Sequence, residues 1–575
     1  MIKDKEYNII ALMAILVPLA IAPGIFTNIF STPKMVIILG GAFLLLAIYV
    51  FKKEIEFPVI STTGFVILIV FLNFISFLYT KNYHYTKYAV TLNVSCLVVF
   101  YFTSLYVQDR IGKILAIISA VGVVVSIITI LQYIQSPLLP VWLDTGLKRT
   151  STIGNSNFLG AYLLFPFFSL CGLIATEKTG KIKWVSVVGL IVVFTAIVFS
   201  LARASWIGLV AGIIAFAFLF SSVQKLNILK RIKLKYVLIW LVIVVSGAFL
   251  IPDRFYQDIS GKVLQTSSFK KRAQFYQASL EVISGHHLFG TGLWSYKNQV
   301  YDAQAEQYKR APDYILSGIN KPKRVHSDVL EVFVDGGFVA WFILSAFLLT
   351  VMAHGWWLVS DKKAEKQTRV FMSACVSCMV AVLVDSIFFF PFRIESTLFM
   401  TLLMLGLIEG AYIYRYAEMG KFKSNMCFGI GSVLMLLCVF WFMGIKPIVA
   451  ENHHRNFRVA KNKGKIEIAE QSILKAIEHD PTNTRYCVDY GVFALNYKKD
   501  FRTADKYIDK AITNFTGDNI LSELYFKQSY IKLNLKDMIG AEEALEKTIY
   551  YNPHNDKAKQ WLKIVHGVNN KNRGK

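Results

Sequence analysis

Apolar runs of about 17–25 residues recur along most of the chain, the length needed to cross roughly 30 Å of hydrocarbon. That repetition leaves few options, because a backbone in lipid must satisfy its own polar groups, as a helix does. About 13 runs are legible, near residues 8–26, 34–51, 58–79, 88–107, 111–134, 157–175, 184–202, 204–222, 236–252, 332–358, 369–390, 395–414 and 426–445. With 55% hydrophobic and 17% charged residues over 575 positions, an ordinary soluble enzyme and a disordered chain are both excluded. The fold class expected is all-α, a polytopic membrane bundle of about 12–13 spans. The first run follows MIKDKEYN without a small-residue cleavage site and is expected to be a retained anchor.

The net charge of +24 invites a nucleic-acid reading, but the distribution of the cations argues against it. Lys and Arg crowd into alternate loops, at Lys52, Lys53, Lys178, Lys181, Lys183, Lys362, Lys363, Lys421 and Lys423 among others. The intervening short loops carry few, such as Lys34, Lys81, Lys87, Lys148 and Arg149. The positive-inside rule then puts the N-terminus in the cytoplasm. It puts the large polar segment 252–330, Arg203 and everything after the last span outside.

Residues 1–450 form the expected membrane domain, and 451–575 a different one. In the latter, Ala469 and Ala476 lie seven apart and precede Pro481; Ala504 and Ala511 repeat the spacing, and Ala541 precedes Pro553. Small residues seven apart share a helix face, and Pro cannot continue a helix. The pattern is similar to tetratricopeptide repeats, whose helix pairs span about 34 residues and offer a surface to partners. Of the seven cysteines, Cys375 and Cys378 have a metal-like spacing but lie inside an apolar run without acidic or histidine neighbours. They read as small buried hydrophobes. Cys487 has no partner on its side, so no disulfide is implied.

The polar residues that interrupt this pattern carry the chemistry. Arg203 in FSLARASWIGL closes one apolar run and opens the next. A cation at the edge of hydrocarbon is costly and therefore a functional candidate, and a guanidinium can fork onto two phosphate oxygens. Arg272 in KKRAQFY begins a segment with apolar residues at Phe275, Ala278, Val282 and Ile283, expected to form an amphipathic surface helix that ends at a glycine-rich turn. Gly290 and Gly292 in that turn are a weak phosphate-loop signal. His326 precedes the next span and, with an ordinary pKa of roughly 6.5, could accept a proton near pH 7. Arg393, Asp385, Arg149 and Asn157 are supporting candidates; Asp385 is expected to pair with an arginine or to orient His326, since a carboxylate in a span needs a partner. His286 and His287 compete less well, being in a turn. No metal site and no cofactor are implied.

Four ordered motifs, KRTSTIGNSNFLGAYL, SLARASWIGL, KKRAQFY…HHLFGTGLWSY and VHSDVLEVFVDGG, resemble the O-antigen ligase and O-antigen polymerase superfamily over roughly residues 85–415. The resemblance implies a bacterial inner-membrane enzyme that moves a glycan from an undecaprenyl-diphosphate carrier to an acceptor on the outer face, without metal or nucleotide sugar. It implies that Arg203 and Arg272 hold the diphosphate and that His326 activates the acceptor hydroxyl. Two positions depart from the family pattern: a His-Asn reads His326-Ser327, and a His-Pro reads His286-His287. Protein O-oligosaccharyltransfer remains an alternative. So does a transporter for a polyprenyl-linked glycan, which predicts internal symmetry and helices broken near mid-depth.

Overall fold

A computed structural model describes residues 3–52, 54–139, 149–176, 180–224, 266–310, 324–423 and 426–573. They are helical apart from one two-stranded antiparallel pair. The membrane helices are α1 (Lys3–Leu19), α2 (Ser31–Val50), α3 (Ser61–Ile75), α4 (Tyr83–Tyr106), α5 (Ile111–Tyr133), α6 (Ser156–Thr176), α7 (Lys181–Ser200) and α8 (Arg203–Gln224). Two polar helices, α9 (Thr266–Gly285) and α10 (Tyr296–Arg310), stand on one face before α11 (Asp328–Ser360), α12 (Lys366–Phe388) and α13 (Glu395–Tyr416). Strand β1 (Glu54–Pro58) pairs with β2 (Met419–Lys423) on the opposite face, with Glu54 against Lys423 and Pro58 against Met419.

Among the described residues 11 helical segments are long and apolar enough to cross a membrane, so this is a multi-pass membrane protein. Of the runs expected from sequence, 236–252 lies outside the described residues. The first gives a helix of 17 residues, because the chain turns after Leu19 into a segment containing Pro23 and Gly24, where Gly24 has φ +88°. Lys34, expected in a loop, is instead buried in α2, where Nζ donates to the carbonyls of Ala20, Phe30 and Thr152 at 2.6, 3.1 and 2.8 Å. A buried ammonium persists only when so satisfied. α13 is buried almost throughout, while Ile67, Phe71, Trp184, Ile191 and Leu349 point outward. An apolar exterior around a packed centre is what a hydrocarbon solvent selects.

The last span does not stop at the membrane. α14 (Met426–Val439) passes through a π-turn at Phe440–Ile445 straight into α15 (Lys446–Asn462). Then follow α16 (Ile466–His479), α17 (Thr484–Phe493), α18 (Phe501–Thr513), α19 (Leu521–Asn534), α20 (Met538–Tyr551) and α21 (Asp556–Arg573). Ala469, Ala476, Ala504, Ala511 and Ala541 are all fully buried, as close helix pairing requires. Pro481 and Pro553 lie just past the ends of α16 and α20. The loops of this C-terminal array rest on the membrane helices. Asp480 takes Lys87 at 2.8 Å and His84 at 3.2 Å, Tyr85 bonds Asp518, and Lys297 lies 3.3 Å over the Tyr85 ring. Burial would raise the Asp480 carboxyl, but His84 and Lys87 hold it well below the usual carboxylate range.

Candidate active site

Small residues set the geometry. Leu201 adopts a left-handed conformation (φ 52°), which lets α7 turn into α8 within two residues and puts Arg203 at the start of α8. A Cβ added to Gly160 would lie 2.4 Å from Ala202 Cβ, and one added to Gly208 2.4 Å from the Ala381 carbonyl oxygen. Only glycine lets α8 lie this close to α6 and α12. The approach brings Ser205 to Asp385, whose Oδ1 accepts from Ser205 Oγ at 2.8 Å while its buried Oδ2 has no hydrogen-bond partner.

One face of α9 gathers the rest. Arg272, Phe275 and Tyr276 follow the i, i+3, i+4 spacing of neighbours on a helix surface. Arg272 Nη1 donates to the Phe388 carbonyl at 3.1 Å, at the C-terminal end of α12, where the helix dipole favours a cation. Phe275 stacks on the His326 ring (5.9 Å, 14°), and Tyr276 Oη donates to the His326 carbonyl at 3.3 Å. Phe390 closes the other side of the imidazole edge-on, at 5.3 Å. His326 itself has φ 66°, and its Nδ1 is buried without a partner. A strained, half-buried imidazole with a buried, unsatisfied nitrogen is a reason to look for a ligand.

The electrostatics tie the three residues together. Burial, the nearby Arg203 and the partly compensating Tyr276 and Asp385 act on Arg272, whose pKa is lowered. Burial and then the Arg272 charge push His326 down to about 4, with Glu331 opposing. The imidazole is therefore neutral at pH 7. Two guanidinium groups near enough to repel, beside a neutral base, form a site that an anion would stabilise.

The supporting candidates fall into different places. Arg149 (φ 67°) lies 5.8 Å over the Tyr133 ring, which stacks on Phe199 and packs on Leu201, so it borders the turn that carries Arg203. Asn157 is in the first turn of α6, and its neighbour Phe158 meets Phe389 and Phe390. Asp385 is close to Arg272 rather than Arg393. Arg393 is buried and bound to Asp328 Oδ1 at 3.4 Å and to Asp335. Burial lowers and Asp335, Glu331 and Asp328 raise the Arg393 pKa, for a net upward shift. Asp328 also accepts from Phe392 N at 2.8 Å, and its own N–H donates to the Phe389 carbonyl at 3.0 Å. Arg393 thus fastens the chain just after His326 to the α12–α13 link.

The glycine-rich turn has a task that its motif did not announce. α11 is broken at Gly337 (φ 63°, ψ −162°). Across the break, Thr291 N and Gly292 N donate to the carbonyls of Val334 and Asp335 at 2.8 and 2.9 Å, and Phe338 N and Val339 N donate to those of His287 and Leu288 at 2.8 and 3.2 Å. Segment 287–292 therefore splices the interrupted helix through backbone bonds. A Cβ on Gly290 would sit 2.5 Å from the Asp335 carbonyl carbon, so bare backbone is required here. His286 and His287 belong to this joint and not to the His326 cluster. Cys375 and Cys378 are buried in α12. Among the described residues no group of three or more His, Cys, Asp or Glu side chains could hold a metal ion.

Sequence reasoning did not single out Tyr276, Phe390 or Ser205, and it gave Phe275 only a place on an apolar face. The two α9 residues could have been found by stepping one helical turn from Arg272; Phe390 and Ser205 needed the tertiary structure. Residues 187–345 match the family profile described as Wzy_C, O-Antigen ligase. Over that stretch, which contains Arg203, Arg272 and His326, the chain is similar to a family of membrane enzymes. No curated protein matches the chain.

Proposed function

We propose that the protein transfers a glycan from a polyprenyl diphosphate carrier to an acceptor hydroxyl, in the manner of O-antigen ligases and polysaccharide polymerases. The observation that carries this reading is the convergence of Arg203, Arg272 and His326 on one face, with the two arginines in electrostatic contact and Arg272 acting on the imidazole. The acceptor O–H adds to the anomeric carbon, the bond from that carbon to the diphosphate oxygen breaks, and polyprenyl diphosphate departs. His326 takes the acceptor proton. Arg203 and Arg272 neutralise the charge that grows on the leaving diphosphate, and Asp385, held by Ser205, keeps Arg272 oriented towards it. The leaving group is already good, so positioning and charge stabilisation are the main demands.

The site faces outward in a bacterial cytoplasmic membrane in this reading. The opposite face carries Lys52, Lys362, Lys363, Arg415, Lys421 and Lys423, which supports a cytoplasmic location for it. Residues 1–450 act as the transferase, and 451–575 as tetratricopeptide-like repeats that stand over the site and offer a surface to a protein partner. The break in α11 lies near the site face and is spliced by backbone, which favours a scaffold for a site over a transport pathway. The test is reconstitution in liposomes with a polyprenyl diphosphate-linked glycan. Arg272→Ala abolishes transfer while the protein still inserts; full activity in that variant overturns the proposal.

A further inference from the structure

Links between the helix pairs of a repeat array normally lie on its surface, where backbone polar groups meet water. One link here does not. Residues 480–483 join α16 to α17 and 552–555 join α20 to α21, whereas 514–520, the longest of these three links, join α18 to α19. Thr516 is 2% exposed, and Leu521, the first residue of α19, is 7% exposed. Gly517 (φ 81°) presses bare backbone onto α10, where an added Cβ would lie 2.5 Å from both Lys297 Cβ and the Lys297 carbonyl oxygen. Around it, Asn82 Nδ2 donates to the Thr516 carbonyl at 3.3 Å, and Tyr301 Oη donates to the Asn519 carbonyl at 2.9 Å. The Phe515 ring meets Tyr301 edge-on at 5.2 Å. Asp518 accepts from Tyr85 and lies 3.8 Å from Lys297 Nζ. Burial would raise the Asp518 carboxyl, but Lys297 and then the Tyr85 hydroxyl hold it below the usual carboxylate range.

The apolar end of the link reaches the residues that carry the imidazole. Leu521 belongs to one buried cluster with Val282 of α9, Val300 of α10, Val334 of α11 and Val325. Val325 immediately precedes His326 and is fully buried. Its backbone is held separately: Val325 N donates to Glu331 Oε2 at 3.2 Å, while Glu331 Oε1 takes Arg324 at 2.9 Å. Tyr276, which bonds the His326 carbonyl, packs against the same cluster. A residue in the left-handed region, as His326 is, stays there only where its surroundings over-determine it. Here one of the surrounding side chains comes from beyond the last span.

We infer that Leu521 and the 514–520 link are a positioning element of the site: through Val325 they fix the His326 imidazole between Phe275 and Phe390, so the membrane helices alone do not complete the site. The inference rests on the transferase reading for its consequence but not for its test. Full-length protein in lipid nanodiscs is treated with diethyl pyrocarbonate, and carbethoxylation of His326 is timed by peptide mass spectrometry, with the exposed His287 and His554 as internal references. Leu521→Ala should speed modification of His326 about threefold or more and leave the references unchanged, because a loosened wall opens locally. Tyr301→Phe, which removes only the bond to Asn519, should act in the same direction by less, and Leu521→Met should retain the original rate. Leu545→Ala cuts into the core of the last repeat instead and should leave His326 as it was. In the liposome assay Leu521→Ala should lower kcat about tenfold and change KM for the lipid-linked donor by less than about twofold, since the arginines that hold the diphosphate are untouched. Thermal unfolding of each variant checks folding, and Tyr301→Phe alone decides the matter if Leu521→Ala does not fold. Modification of His326 that is indifferent to Leu521→Ala and Tyr301→Phe, or raised equally by Leu545→Ala, overturns the inference. A response in modification without any transfer by the unaltered protein upholds it and overturns the transferase reading instead.

Discussion

Arg272 and Arg393 stand on the same face of the protein, at opposite margins of His326, and they do opposite things. Arg393 is sealed between two carboxylates and bound to both. Arg272 donates to a main-chain carbonyl and feels Arg203 as a like charge. Among the described residues it makes no ion pair. A buried arginine whose charge is answered by Asp328 and Asp335 holds the chain in place. One whose charge is left partly unanswered beside a second arginine suits the anion of the proposed function. Arg393 lies deeper than the half-buried Arg272, but it is the charge balance around each that sets the two apart.

That contrast can be broken by mutation. The largest effects are expected at the chemistry: His326→Ala should lower transfer by roughly 10²–10⁴-fold. Arg203→Ala and Arg272→Ala should reach a comparable loss in the liposome assay, with unfolding temperature nearly unchanged. Arg393→Ala should reverse the pattern. It strands two buried carboxylates and should cost about 3–5 kcal/mol, read as a collapse of thermal stability before any assay of transfer. Next comes Gly337→Ala, which forces a side chain into a left-handed conformation at about 1–3 kcal/mol and loosens the splice with segment 287–292. It should lower stability and transfer together. A pH profile sharpens the same comparison. Because burial and Arg272 hold His326 at about 4, the base stays unprotonated well below pH 6.5, and the acid limb of kcat/KM should lie nearer 4 than 6.5. A limb at 6.5 would mean that the imidazole is not in the environment described. The smallest effect is expected from Lys87→Ala, at most about 1 kcal/mol, since Lys87 is a partly exposed member of the Asp480 cluster.

Much of this was legible from one-dimensional spacing. Run length gave the membrane class and most spans, because the bilayer imposes a length that sequence cannot conceal. The seven-residue alanine spacing marked buried faces at Ala469, Ala476, Ala504 and Ala511. What remained hidden depended on contacts across the chain. Nothing near Arg393 in sequence shows that Asp328 and Asp335 will meet it, and nothing near Lys34 predicts the Thr152 carbonyl. The Gly290–Gly292 motif looked like a phosphate cradle because glycine is needed wherever backbone must approach closely. Here the group approached is another stretch of main chain. Asp385 was expected near an arginine; the choice of Arg272 over Arg393 needed the packing of α9 on α12.

The helix from Gly429 to Asn462, continuous through its π-turn, ties the C-terminal array to the last span. Its 34 residues rise about 51 Å, some 20 Å beyond the hydrocarbon. It acts as a mast whose helical hydrogen bonding runs on through the π-turn at Phe440–Ile445. Tilting the C-terminal array aside would strain this helix and break the contacts of Asp480 and Asp518 with the membrane helices. In the proposed transfer, a bulky sugar polymer leaving His326 would meet the same overhanging array every time, a shape filter without moving parts.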